Sequence, residues 1–133
     1  MKRPSVLDSF ALIAYLGGER GAESVRTLLH EAEASDEPLL MNEINVGEVY
    51  YLIAKERAIQ TAEEFLHRLE TLPIRVLANT FAQVLDAARL KAQFPVSYAD
   101  AFAIAAAIRE NARLVTGDPE FRSVAHLVAI SWI

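Results

Sequence analysis

The sequence predicts a three-layer α/β/α domain whose central, mostly parallel sheet contains four to five strands. Short apolar runs, typical of buried strands, alternate along the chain with longer segments of helical periodicity. Strands separated by helices pair in parallel, because each helical crossover returns the chain to the edge where the strand began. The 133 residues have the length of one domain and contain no linker or repeat. We therefore expect a single domain over 1–133.

The first strand is predicted at 5–8 and ends at an acid, Asp8. An apolar helix follows over 9–16 and is stopped by two consecutive glycines. The segment 21–34 carries one apolar stripe opposite charged residues, which predicts an amphipathic helix on the surface of the domain. Asp8 is thus placed at a junction between a strand and a helix.

The second strand is predicted at 39–41, and the helix that follows it at 45–57. Glu48 lies in the first or second turn of that helix. The next helix is predicted at 61–72, because the sequence Thr-Ala-Glu-Glu at its start matches a capping box. An acid therefore follows the second strand as well.

A third strand is predicted at 74–77, directly after a proline, and a helix at 79–93. Thr80 and Gln83 have the spacing of a second capping box. Pro95 then separates this helix from the one that follows.

The helix predicted at 97–110 is apolar on almost every face and yet carries one acid, Asp100. Such a helix is normally buried, and a carboxylate removed from water needs hydrogen bonds, a cation or a proton. A fourth strand at 114–116 leads into a turn that contains Asp118, and a last strand is predicted around 127–130.

Four acids are predicted to meet at one edge of this sheet, because the carboxyl ends of parallel strands and the helices that follow share an edge where ligands bind. Each acid alone also fits a helix cap, and caps are the commoner explanation of a single acid. Several carboxylates in one cleft repel one another, however, and a cation relieves that repulsion. Oxygen ligands without histidine or cysteine favour Mg²⁺ or Mn²⁺, which commonly bridge to phosphate. The four acids are Asp8, Glu48, Asp100 and Asp118.

Composition narrows the possible functions. The chain has no cysteine, which excludes disulfides, thiolate metal sites and cysteine nucleophiles and is consistent with a cytoplasmic location. It has no apolar run of the roughly 18 residues that a membrane span needs, so no membrane association is expected. The net charge of −5 argues against a general polyanion-binding surface but permits a local basic rim. Four basic residues are candidates for contacts to the phosphates of a substrate, namely Arg75, Arg89, Lys91 and Arg113.

Four segments of the sequence resemble the four motifs of PIN-domain ribonucleases, particularly the VapC-type toxins. They are 7–16 (Leu-Asp-Ser-Phe-Ala-Leu-Ile-Ala-Tyr-Leu), 45–51 (Asn-Val-Gly-Glu-Val-Tyr-Tyr), 97–105 (Ser-Tyr-Ala-Asp-Ala-Phe-Ala-Ile-Ala) and 114–121 (Leu-Val-Thr-Gly-Asp-Pro-Glu-Phe). Each motif is short, but four in this order across essentially the whole chain form a specific signal.

The resemblance implies that Asp8, Glu48, Asp100 and Asp118 hold one or two Mg²⁺ or Mn²⁺ ions, and that activated water hydrolyses an RNA phosphodiester. It implies secondary roles in orienting a ligand or water for two hydroxyls, Ser9 and Thr116. It further implies that the chain is the toxin of a type II toxin–antitoxin pair, with two protein partners: a small antitoxin and a second copy of the chain.

Three alternatives remain open at this stage. A PIN-domain nuclease could mature RNA without an antitoxin, and an acidic cleft could serve a phosphatase or phosphotransfer domain. A non-catalytic binding module would use the acids only as helix caps. Apolar residues on the early helices fit either the core or a protein interface. They are Phe10, Ile13, Leu16, Val49, Leu52 and Ile53.

Overall fold

The computed structural model describes residues 3–133, and the prediction of one domain over 1–133 therefore extends to two residues outside the described part. Within it, five strands form one parallel sheet in the order β3-β2-β1-β4-β5. The predicted three-layer α/β/α architecture is confirmed. The strands are β1 (Ser5–Leu7), β2 (Leu39–Asn42), β3 (Ile74–Leu77), β4 (Arg113–Thr116) and β5 (Ile130–Trp132).

Six α-helices and one 3-10 helix cover this sheet in the described part of the chain. None of the described helices is both long and apolar enough to cross a membrane. The helices are α1 (Ser9–Gly17), α2 (Ala22–Ser35), α3 (Glu43–Glu56), α4 (Ile59–Thr71), α5 (Phe81–Gln93), α6 (Tyr98–Arg109) and the 3-10 helix Pro119–Val124.

The inner strands β1, β2 and β4 are largely buried on both faces, since successive side chains of a strand point to opposite sides. Val6 belongs to the core cluster that includes α6, whereas Leu7 belongs to the cluster that includes buried residues of α1 to α4. Leu114 and Val115 of β4 divide in the same way. This alternation explains why the buried parts of the inner strands are apolar at consecutive positions.

Helix α6 lies inside the domain, as its composition predicts. The seven residues 101–107 are all buried, and five of them are alanine. Their small side chains let α6 sit close to the sheet and to its neighbouring helices. This packing fixes the direction of α6, whose N-terminal end carries Asp100 and is itself only partly buried.

The register between β1 and β4 aligns the carboxyl ends of these two strands, where the candidate site lies. Leu7 pairs with Val115, and the strands are parallel. The Asp8 N–H donates to the Val115 carbonyl over 3.3 Å. Asp8 therefore leaves the sheet beside Thr116, as the prediction of a shared edge requires.

Several predicted elements differ from the structure in their boundaries, α3 and α5 by two residues at their starts. Helix α4 starts at Ile59 rather than 61, and its N-cap Ala58 forms no side-chain cap. The Thr-Ala-Glu-Glu match lies inside the helix, because α3 ends at Glu56 and leaves room for an earlier start. The capping box of Thr80 and Gln83 on α5 is confirmed.

The last strand is Ile130–Trp132 rather than 127–130. The Leu127 N–H donates to the Val124 carbonyl over 2.9 Å, so the turn that follows the 3-10 helix continues through the predicted start of the strand. Pairing with β4 begins only where Ile130 meets Leu114.

Candidate metal centre

Asp8 is the most deeply buried acid at the carboxyl edge of the sheet, with 1% of its surface exposed. It is the N-cap of α1, and its Oδ1 accepts a hydrogen bond from the Ala11 N–H over 2.8 Å. Its Oδ2 is buried and has no hydrogen-bond partner among the described residues. A buried carboxylate oxygen without a donor is costly, and it marks a position suited to a cation or a proton.

The protonation of Asp8 reflects this environment. Burial raises its pKa from 3.8 to about 7. The neighbouring Thr116 hydroxyl, which makes no hydrogen bond of normal geometry to the carboxylate, and the Ala11 N–H oppose the shift. The charges of Asp100 and Asp118 raise the pKa further. Asp8 is thus close enough to two other acids for their charges to act on it.

Asp100 lies in the first turn of α6 and is only partly buried. Its backbone N–H donates to the Ser97 hydroxyl over 3.1 Å, which confirms the expected cap of this helix. Burial raises the pKa of Asp100 to about 6 against the lowering effect of Ser97, and the charges of Glu48, Asp118 and Glu120 add to the increase. The acid on the apolar helix therefore faces three other carboxylates.

Asp118 follows β4 and caps the 3-10 helix through Oδ1, which accepts from the Glu120 N–H over 2.9 Å. The Asp118 N–H in turn donates to the Thr116 hydroxyl over 3.0 Å. Carboxylate oxygens of Asp100, Asp118 and Glu120 all lie within 4.8 Å of one another. This spacing allows all three to contact one ion.

Glu120 was not predicted as a site residue. It lies two residues after Asp118, in the first turn of the 3-10 helix. The sequence Asp118-Pro119-Glu120 contained a usable signal, because an acid cap followed by proline starts a tight turn that carries the next acid with it.

Glu48 lies in α3, partly buried, and its charge acts on Asp100. The alternative in which Asn45 caps this helix and Glu48 completes the cap is wrong, because α3 starts at Glu43 with Asn42 as its N-cap. Glu43, the nearby acid, instead accepts hydrogen bonds from Asn79. Glu48 is thus an acid of this edge with no capping role.

Asn45 ties together three segments that carry the acids. Its Nδ2 donates to the Ala99 carbonyl over 3.0 Å and to the Ser9 hydroxyl over 3.3 Å, and the Ser9 hydroxyl donates to the Asn45 carbonyl over 3.2 Å. Asn45 is fully buried, and its Oδ1 has no donor among the described residues. Since only an amide N–H can donate to the Ala99 carbonyl, the orientation of this side chain is determined.

These donors suit a hard divalent cation. The three histidines are exposed, and the described cluster contains only acids. Its possible ligand atoms are therefore carboxylate oxygens, which Mg²⁺ and Mn²⁺ prefer. A cation at this edge would give the buried Asp8 Oδ2 a partner and would reduce the repulsion among the three close carboxylates. The residues present therefore fit the expected metal.

A family model for the PIN domain matches residues 5–127. The chain belongs to the PIN domain family. This match covers all four motifs, and it confirms the family resemblance and the predicted fold. No curated protein matches the chain at a significant level.

Solved structures with the same fold include several toxin–antitoxin proteins. VapBC2 from Rickettsia felis, bound to a promoter DNA fragment, has a TM-score of 0.74 at 17% identity, with 97% of this PIN domain and 98% of that chain covered. VapC20 from Mycobacterium tuberculosis, a Sarcin-Ricin loop cleaving toxin, has a TM-score of 0.68 at 17% identity, with 90% and 94% covered. VapBC-1 from nontypeable Haemophilus influenzae has a TM-score of 0.68 at 21% identity, with 96% and 97% covered.

Proposed function

We propose that this PIN domain is a Mg²⁺- or Mn²⁺-dependent endoribonuclease and the toxin of a type II toxin–antitoxin pair in the cytoplasm. The observation that carries the proposal is that carboxylate oxygens of Asp100, Asp118 and Glu120 lie within 4.8 Å of one another at one edge of a parallel sheet. Asp8 and Glu48 lie outside this group of three but close enough for charge interactions with Asp100, and Asp8 has a buried oxygen without a donor. Folding brings these charges together against their mutual repulsion, which is expected of a site that binds a cation.

Asp8, Glu48, Asp100 and Asp118 are the proposed ligands of one or two ions, and Glu120 joins them. When bound, such ions lower the pKa of water and stabilise the charge that develops on the oxygens of a phosphodiester. The chain itself keeps the carboxylates in place. The Ala11 N–H occupies one oxygen of Asp8 and leaves the other free. The hydroxyls proposed to orient ligands or water, Ser9 and Thr116, are buried beside Asn45 and Asp118.

Asp100→Asn is the variant that tests this function, because it removes the charge while the backbone N–H that bonds Ser97 remains. We expect the variant to fold as the parent does and to lose cleavage of RNA in Mg²⁺ or Mn²⁺. Cleavage is followed by gel electrophoresis of tRNA, rRNA and mRNA substrates, and folding by thermal unfolding. Asp86→Asn on α5 is a matched control, since Asp86 is an exposed acid paired with Arg89.

Two results would contradict the proposal. If Asp100 were only a capping residue, the variant would lose up to about 1 kcal/mol of stability and keep its activity. If the parent cleaved no RNA with either metal, the chain would not be a nuclease of this type.

The proposed protein partners are a small antitoxin and a second copy of the chain. The antitoxin proposal is supported by structural neighbours that were solved as VapBC proteins. The apolar residues considered for an interface divide in the structure: Val49 is fully buried, whereas Phe10 is 42% exposed. Expression of the parent should arrest growth while the Asp100→Asn variant should not, and light scattering should give the mass of a dimer.

A further inference from the structure

A cavity of about 500 Å³ lies beside the candidate metal centre and has no role in holding the metal. It is bounded by the start of α1, the turn after β4 and the end of the chain after β5. Phe10, in its wall, is two residues beyond Asp8, and Gly117 lies between Thr116 and Asp118. The size falls in the range that accommodates a small organic ligand.

Two aromatic side chains of this cavity are exposed. Phe10 is 42% and Trp132 is 46% exposed. The Phe10 ring packs directly on Gly117. A Cβ added at Gly117 would overlap this ring and lie only 2.9 Å from the Phe10 Cζ. The close approach fixes the ring in position while a large part of its surface remains in solvent. Fixed, exposed aromatic rings are suited to stacking against flat groups such as nucleobases.

Two exposed arginines line the same cavity, Arg20 and Arg122. In the part of the chain that the structure describes, neither forms an ion pair. By contrast, Arg75 lines a larger cavity of about 880 Å³ at the opposite edge of the sheet, where Glu110 lies 3.9 Å from its guanidinium. In a chain of net charge −5, two unpaired arginines beside the acids provide a local attraction for phosphate.

We propose that this cavity is a binding subsite for one nucleotide of a single-stranded RNA, adjacent to the scissile phosphate. Phe10 and Trp132 stack on its base, and Arg20 and Arg122 bind flanking phosphates. The inference rests on the proposed nuclease function and adds to it which part of the surface holds the substrate. A base is accessible for such stacking only when it is unpaired, so the subsite selects single strands over duplex.

Trp132 is the only tryptophan of the chain and is itself the probe. In the Asp100→Asn background, which keeps the cavity and prevents cleavage, a short single-stranded RNA of mixed sequence should quench the tryptophan fluorescence. The same sequence as a duplex should quench it much less. Absence of quenching at RNA concentrations that saturate binding would overturn the proposal.

Substitutions then test each half of the subsite by anisotropy of a labelled RNA. Phe10→Ala and Trp132→Ala should each weaken binding roughly 5- to 150-fold, the range for loss of one base–aromatic stack. Phe10→Leu keeps the packing on Gly117 and should still weaken binding, which covers the case in which the alanine variant fails to fold. Arg20→Ala combined with Arg122→Ala should lower the slope of log affinity against log salt by about 1.4.

Two controls are placed away from the cavity. Phe81→Ala removes an aromatic side chain that is 76% exposed on α5, and Arg26→Ala removes an exposed guanidinium on α2 that pairs with Glu23. Both should bind RNA as the parent does. Equal losses in the controls, or affinities within twofold of the parent in the cavity variants, would overturn the subsite. If the parent cleaves RNA and the cavity variants bind normally, only this inference fails, whereas a parent without metal-dependent cleavage refutes the proposed function.

Discussion

The Asp8→Asn variant should make the metal-free protein more stable at pH 8, although it removes a proposed ligand. Burial raises the pKa of Asp8 from 3.8 to about 7, which corresponds to about 4 kcal/mol opposing folding where the carboxylate is ionised in both states. Asparagine keeps an oxygen acceptor for the Ala11 N–H and carries no charge. Burying its amide N–H groups costs about 1–3 kcal/mol. The net gain at pH 8 is therefore about 1–3 kcal/mol.

The sign of the pH dependence follows from the raised pKa. The unfolded chain releases the Asp8 proton near pH 4, and the folded protein releases it near pH 7, so the parent loses stability as pH rises between these values. The asparagine variant lacks this loss. Its stability relative to the parent should therefore improve by about 3 kcal/mol between pH 5 and pH 8.

Urea unfolding in EDTA at pH 5 and pH 8 measures this difference. Asp36→Asn is the matched control, since Asp36 is an exposed acid with a positive φ of 56° that asparagine also tolerates. It makes the same change in net charge at the opposite edge of the sheet. If Asp8→Asn is no more stable than the parent at pH 8, or if its relative stability is the same at both pH values, burial of the ionised Asp8 does not destabilise the apoprotein.

Two further predictions concern metal binding. Mn²⁺ should raise the melting temperature more at pH 8 than at pH 5, because protons compete with the metal for Asp8 and Asp100. Burial raises the pKa values of these two carboxyls to about 7 and about 6. Equal increases in melting temperature at both pH values would contradict this prediction. Asn45→Ala should lower the affinity for Mn²⁺ in calorimetric titration by roughly 10- to 100-fold. Asn79→Ala, which also breaks side-chain hydrogen bonds at this edge, should leave that affinity unchanged, and equal losses would show that Asn45 has no specific positioning role.

Parallel topology made the edge of the site predictable from sequence. Once helices separate the strands, an acid at the end of β1 and an acid after β4 must emerge on the same side, and Asp8 and Asp118 do so. The apolar surroundings of Asp100 predicted burial of α6 in the same way. These expectations depend only on periodicity and chain connectivity, and both are local properties of the sequence.

Features that depend on tertiary contacts were not predictable in this way. The bridge from Asn45 to Ser9 and Ala99 joins residues 36 and 54 positions apart. Glu120 reaches Asp100 only because the chain after Asp118 turns into a 3-10 helix. The pocket that contains Phe10 and Trp132 likewise forms between α1 and β5, which are far apart in the sequence.

The capping and ligand roles of the acids are compatible, and the structure shows how. A capping interaction uses only one carboxylate oxygen, or none. Asp8 and Asp118 each accept a backbone hydrogen bond through Oδ1 alone. Asp100 takes part only through its backbone N–H, which donates to the Ser97 hydroxyl. Each carboxylate thus keeps at least one oxygen available. Helix N-termini also stabilise negative charge. Capping therefore orients Asp8, Asp100 and Asp118 and partly offsets their charge. Glu48 takes part in no helix cap, so capping does not explain its position. Its charge acts on Asp100 without any compensating cap, as expected if the proposed cation binds at this edge.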